Sequence, residues 1–132
     1  MKYLTLITAL FLSMTSVLAQ DVSPVDLIEA QLSAYNDRDI DAFVATYADD
    51  VTCYEYGQQY PFVEGKAALK MSYGAMFQTS PNLYARSTNR IVQGNKVIDH
   101  EIAEGINGRS AVQVVVFYEI ADGVIKKVTF IY

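Results

Sequence analysis

From Leu83 onward the chain reads as strand after strand, and this meander constrains the fold more than any other feature. Gly94-Asn95 separates an extended run over 83–93 from another over 96–104, and Ala121-Asp122-Gly123 separates 109–120 from 124–132. Glycine and asparagine tolerate the positive φ that a tight hairpin requires, so each of these short breaks turns the chain back beside itself. Upstream the hydrophobic period changes to that of helices. Ser23-Pro24-Val25-Asp26 supplies a hydroxyl cap, a proline at the first helical position and an early acid, and Val25, Ile28, Leu32 and Tyr35 then mark one stripe. Asp39 caps a second helix with the stripe Ile40, Phe43, Val44 and Tyr47. A strand follows over 51–56, ended by Gly57, then a short extended piece over 60–63. A third helix over 66–78 carries Leu69, Tyr73, Met76 and Phe77, and Ser80-Pro81-Asn82 stops it. Three helices followed by an antiparallel meander make an α+β domain, helices on one face of a sheet that curls around them and leaves a cavity at its open end. Much of the chain's tyrosine and phenylalanine is expected to line that interior.

At 132 residues the chain holds one domain. Residues 1–19 read as a signal peptide: Lys2, an apolar run from Leu4 to Leu12, and Val17-Leu18-Ala19 as the small-residue cleavage pattern. A membrane anchor is the competing reading, but the run is shorter than the ~20 residues a bilayer needs. The expected product is an exported domain over 20–132, periplasmic or secreted, with no membrane attachment after cleavage. The chain has 10 basic and 15 acidic side chains; loss of Lys2 leaves 9 against 15, a net charge of −6. Nothing here would neutralise phosphates, so neither nucleic acid nor an anionic membrane is expected as a partner. Cys53 is the only cysteine and has no internal disulfide partner. Its neighbours Val51-Thr52-Cys53-Tyr54-Glu55 are acidic and apolar, which fits a buried strand residue better than a reactive thiolate.

The segment Ala34-Tyr35-Asn36-Asp37-Arg38-Asp39-Ile40-Asp41, continued by Tyr47-Ala48-Asp49-Asp50-Val51, is more specific. A helix ends in a polar corner, a short helix starts on an aspartate, and an acidic step leads into a strand. This resembles the opening of the SnoaL-like and nuclear transport factor two-like superfamily, the cone-shaped cystatin-like fold of polyketide cyclases and ketosteroid isomerases. The resemblance extends over nearly the whole domain and runs without a gap from Leu27 to Glu55. It implies a pocket walled by the first strand, and it puts Glu55 where ketosteroid isomerases carry their catalytic carboxylate base. The positions of that family's two enolate-stabilising donors fall on Gln31 and Val116. Valine cannot donate, which argues against steroid isomerisation. An Asp-Arg-Asp set like that of limonene epoxide hydrolases occurs only as Asp37-Arg38-Asp39, in the helix corner.

Strand alternation nominates the rest of the pocket. Val51, Cys53 and Glu55 share one face of the first strand. On the strand over 96–104, Ile98, His100 and Ile102 form the more apolar face, so His100, the lone histidine, is expected inside, with Asp99 and Glu101 outside. Glu55 and His100 are thus the candidate catalytic pair, a desolvated carboxylate steadied by an imidazole, able to take a proton beside a carbonyl or to activate water. Gln31, Tyr35, Tyr47, Val114, Val116, Tyr118, Val128 and Phe130 are the candidate ligand-binding residues. No metal or other cofactor is expected. Asp49-Asp50 reads as a turn and cap, and a single histidine cannot complete a typical zinc or iron site.

Three functions remain in play. One is a lyase, isomerase or cyclase acting on a small hydrophobic carbonyl compound. Another is a non-catalytic binding protein for a small apolar molecule. The third is an interaction module, its outer sheet face of Gln113, Val115, Phe117, Glu119, Thr129 and Ile131 forming a homodimer or docking a partner.

Overall fold

The computed structural model describes residues 21–132, so the expected leader over 1–19 lies outside the described residues. Helix α1 spans Pro24–Asp37 and α2 Ile40–Ala45; strand β1 spans Tyr47–Glu55 and β2 Val63–Glu64; α3 spans Lys66–Thr79. The meander is β3 Tyr84–Gln93, β4 Lys96–Glu104, β5 Val112–Ala121 and β6 Val124–Ile131, with a short 3-10 turn at Ile106–Gly108 before β5. The six strands form one sheet in the order β2-β1-β6-β5-β4-β3. Every neighbouring pair is antiparallel except β1 and β6, which run parallel. The expected wholly antiparallel sheet therefore contains one parallel seam, which the helix-bearing connection from β1 through α3 makes possible. Tyr47, expected on the α2 stripe, opens β1 instead. The chain leaves helix at Thr46, whose hydroxyl and amide both turn back to Phe43 O.

Both helix starts behave as their residues dictate. The Asp26 amide donates to Ser23 Oγ at 3.1 Å, and the Ala42 amide donates to Asp39 Oδ1 at 3.1 Å. The polar corner after α1 ties that helix to the sheet. Asn36 donates to Ala85 O at 2.9 Å and accepts from the Ala85 amide at 2.7 Å, while Arg38 Nη1 reaches Leu83 O at 3.2 Å. With α1 fixed there, Leu27, Ile28, Gln31, Leu32, Ala34 and Tyr35 are buried. Phe43, fully buried, sits among Tyr35, Tyr47, Tyr73 and Phe77 with ring centroids 4.7–6.1 Å apart. This aromatic cluster joins all three helices to β1.

The faces of β5 follow the expected alternation. Val114, Val116, Tyr118 and Ile120 turn inward, while Gln113, Val115, Phe117 and Glu119 lie on the convex side. On β4 the expectation is reversed. Val97, Asp99, Glu101 and Ala103 are buried, and Ile98, His100 and Ile102 lie half-covered on the outside. The apolar-face rule fails because two carboxylates are buried with partners from other strands. Arg90, directly opposite on β3, grips Asp99 through Nε to Oδ1 at 2.6 Å and Nη2 to Oδ2 at 2.7 Å. Glu101 accepts from Tyr118 at 2.8 Å. Arg90 also pairs with Glu29, clamping α1 against the sheet edge.

Candidate functional site

Between α1, α3 and the concave sheet face lies a cavity of about 500 Å3. Gln31 and Tyr35 enter it from α1, Tyr73 and Met76 from α3, and Tyr47 from β1. Glu101 and Ala103 come from β4, Val114 and Tyr118 from β5, and Phe130 from β6. Phe62 and Tyr132 stand at the mouth: Phe62 and Phe130 have centroids 5.7 Å apart, and Tyr132 stacks on Phe130 at 6.4 Å. Ile106 and Asn107 close another side, held because the Asn107 amide donates to the buried Ser80 Oγ at 2.9 Å. The size suits a drug-sized molecule, and the walls are mostly aromatic and aliphatic.

Of the residues nominated from the sequence, Gln31, Tyr35, Tyr47, Val114, Tyr118 and Phe130 line this cavity. Val116 and Val128 face inward but are fully packed core, 0% and 1% exposed, behind the wall rather than on it. The proposed catalytic pair is not brought together. His100 is on the convex face, where its carbonyl accepts from Thr88 Oγ1 at 3.0 Å. Glu55 shares the inward parity of Val51 and Cys53, but it ends β1 and is exposed beyond the helices that cover them. Burial first, and the Glu55 charge second, raise the Tyr132 phenol.

The sequence reading missed Glu101, which is 8% exposed and lines the cavity. Burial pushes its carboxyl up from the ordinary 4.5 to about 7. The Tyr118 hydrogen bond opposes this, the nearby Asp99 charge adds to it, and Arg90 again opposes. Tyr118 and Tyr47 are held well above the usual phenol range by burial, so both hydroxyls keep their protons. Tyr118 spends its proton on Glu101 Oε1. Tyr47 accepts from Gln31 Nε2 at 3.0 Å, and its own proton has no acceptor among the described residues. Cys53 is buried, its thiol pushed up to about 12 by that burial, and is inert core. Among the described residues no three metal-ligating side chains gather, and no helix is long and apolar enough to cross a membrane.

A curved six-stranded sheet holding three helices and an interior cavity defines the cystatin-like, nuclear transport factor two-like class of α+β domains. The SnoaL-like domain matches residues 28–128, and the chain belongs to that family. A cystatin-fold protein from Novosphingobium aromaticivorans superposes with a TM-score of 0.75 at 24% identity, over 83% of this chain and 98% of its own. A Sinorhizobium meliloti protein provisionally assigned as a polyketide cyclase gives 0.67 at 22% identity, over 80% of this chain and 93% of its own. A Kribbella flavida protein provisionally assigned as a ketosteroid isomerase gives 0.67 at 24% identity, over 82% and 76%. No functionally curated protein matches the sequence.

Proposed function

We propose that the cavity binds a small, largely apolar carbonyl compound and that Glu101 removes a proton from the carbon beside the carbonyl. The observation that carries this is a carboxyl group in an apolar cavity with Oε1 held by Tyr118 and Oε2 without a donor among the described residues. A group titrating near neutrality is ionised often enough to accept a proton and basic enough to hold it. The C–H pair becomes the new C=C bond, and the carbonyl π pair moves to oxygen. The Tyr47 hydroxyl, whose proton is uncommitted, donates to that oxygen. Protonated Glu101 then returns the proton to the same carbon or to a conjugated one, the second outcome being isomerisation. Glu101 thus takes the base role expected for Glu55 from the sequence, with the same general acid-base chemistry. Membership of a SnoaL-like family with structural neighbours provisionally assigned as a cyclase and an isomerase supports it. In this reading the chain is exported and meets its ligand outside the cytoplasm.

The test is exchange of the α-protons of β-tetralone in heavy water at neutral pH, followed by proton NMR. Glu101→Gln should slow the enzyme-dependent exchange by about a hundredfold or more, and Tyr47→Phe by about a hundredfold. Glu55→Gln and His100→Gln should leave it unchanged. Undiminished exchange in Glu101→Gln defeats the assignment. Saturable binding of the ketone with no acceleration of exchange would instead establish the binding-protein reading, which the same apolar walls would serve.

A further inference from the structure

Asn107 lines the cavity from the turn between β4 and β5 and is exposed there. Its backbone amide donates to Ser80 Oγ at 2.9 Å, and Ser80, fully buried, donates in turn to Asn107 Oδ1 at 3.3 Å. Thr79 Oγ1 is a second donor to Oδ1. Each hydrogen bond of this side chain falls on its oxygen, and Nδ2, with two N–H groups, has no acceptor among the described residues. A structural role alone would turn the amide the other way round. The end of α3 presents carbonyls without intrahelical donors, and a neighbouring N–H is what relieves them. Asn107 gives the helix end its oxygen instead and keeps both donors uncommitted at the cavity's edge. Nor does the backbone require asparagine: φ is +48°, in the left-handed region that glycine occupies at 105 and 108 on either side.

The position sets a length. Tyr73 packs on Phe43 beside Tyr47, and Thr79 lies six residues further along α3, ~9 Å at ~1.5 Å per residue. On the sheet side, Glu104 ends β4 three residues after Glu101, ~10 Å at ~3.3 Å per residue. Met76, Ala103, Ile106 and Val112 make the wall between these ends apolar. No lysine, arginine or histidine lines the cavity, whereas Glu101 does, so an acceptor read here is neutral: a ketone, ester or amide oxygen rather than a carboxylate.

We propose that Asn107 forms a second ligand subsite, donating from Nδ2 to a neutral acceptor oxygen at the far end of an elongated, otherwise apolar carbonyl compound, about 10 Å from the end that Glu101 serves. This rests on the proposed carbonyl site only in placing the ligand's first carbonyl at Tyr47. Ser80 and Thr79 act through Asn107 as positioning residues, holding its oxygen so that the donors stay available. A rigidly held donor favours a ligand that satisfies it over one of the same shape that leaves it unpaired.

The experiment compares 6-acetyl-β-tetralone with 6-isopropyl-β-tetralone, which keeps the shape and the ring ketone and removes the remote acceptor, by isothermal titration calorimetry. The wild-type chain should prefer the acetyl probe by about tenfold. In Asn107→Gly, which suits the positive φ and removes the side chain, the two should bind within about twofold of each other. Asn107→Asp keeps oxygens for Thr79 and Ser80 but replaces the donors by a charge, and should favour the isopropyl probe. 6-Carboxy-β-tetralone should bind wild type more weakly than either. Glu101→Gln should keep the acetyl preference while losing ketone exchange. A wild-type preference for the acetyl probe without any exchange of β-tetralone would support this subsite and defeat only the assignment of the base. Equal affinities in the wild type overturn the proposal, as does a preference that survives in both Asn107 variants. Tighter binding of the carboxy probe overturns the neutral acceptor, and failure of the acetyl and isopropyl probes to bind wild type at millimolar concentration overturns the subsite.

Discussion

Replacing Glu101 by glutamine should change how stability depends on pH, and the structure sets the size of the change. In the folded chain the carboxyl titrates at about 7, against an ordinary 4.5, chiefly because burial disfavours the charge. A raised carboxyl contributes its full stabilisation below the unfolded value of 4.5 and loses it as pH rises through about 7. At ~1.4 kcal/mol per pH unit between those values, the loss amounts to about 3 kcal/mol, a large part of the ~5–15 kcal/mol by which domains are typically stable. Glutamine keeps an oxygen to accept from Tyr118 and cannot ionise, so the variant is spared this loss. Urea unfolding of both proteins in parallel buffers, from below 4.5 to above 7, gives a difference curve in which the other carboxylates cancel. That difference should shift toward the variant by about 3 kcal/mol across the interval. A pH-independent difference, or one shifting the other way, would refute the reasoning that Glu101 is desolvated in the folded state.

Other consequences are equally direct. Tyr118→Phe removes the donor at 2.8 Å and should move the Glu101 midpoint upward by ~1–2 pH units, because a hydrogen bond to a charged acceptor is worth ~1.5–3 kcal/mol; carbon-13 NMR of the carboxyl reads it. Asp99→Ala leaves the Arg90 guanidinium without its bidentate partner at a site where Asp99 is fully buried, and should cost ~3–5 kcal/mol in chemical denaturation. Gly105→Ala should destabilise by at least ~1–2 kcal/mol, since φ is +73° and the new methyl would meet Asn82 O at 2.2 Å; thermal unfolding checks it. Cys53 should resist alkylation in the native state and react on unfolding, as its burial and raised thiol require.

The architecture was legible because its signals are local. Ser23 and Asp39 cap helices, Gly94-Asn95 and Ala121-Asp122-Gly123 turn hairpins, and the alternation along β5 holds residue for residue. The site was legible only where a residue's direction follows from such a pattern, as for Tyr35, Val114 and Tyr118. It was lost on β4, where the more apolar face lies outside and the carboxylates lie inside. The correcting signal was present at long range. A two-residue turn at Gly94-Asn95 sets Arg90 opposite Asp99, and a guanidinium opposite a carboxylate is what lets the polar face go inward. No comparable register signal places Tyr118 on Glu101, because β4 pairs Val97 with Tyr118 and Glu101 with Val114, and the contact is made by the reach of a tyrosine along the concave face. Glu55 failed for a different reason: parity gives the face but not where the covering helices end.

The central claim is that this cavity holds a carboxylic acid poised between its two forms near neutrality. Carbon-13 titration of the Glu101 side-chain carboxyl, assigned by its disappearance in Glu101→Gln, tests it without any substrate. A midpoint of about 7 is the expected result. A midpoint at the ordinary 4.5 would mean the carboxyl is solvated as in open water, and the proton-transfer reading would fall with it.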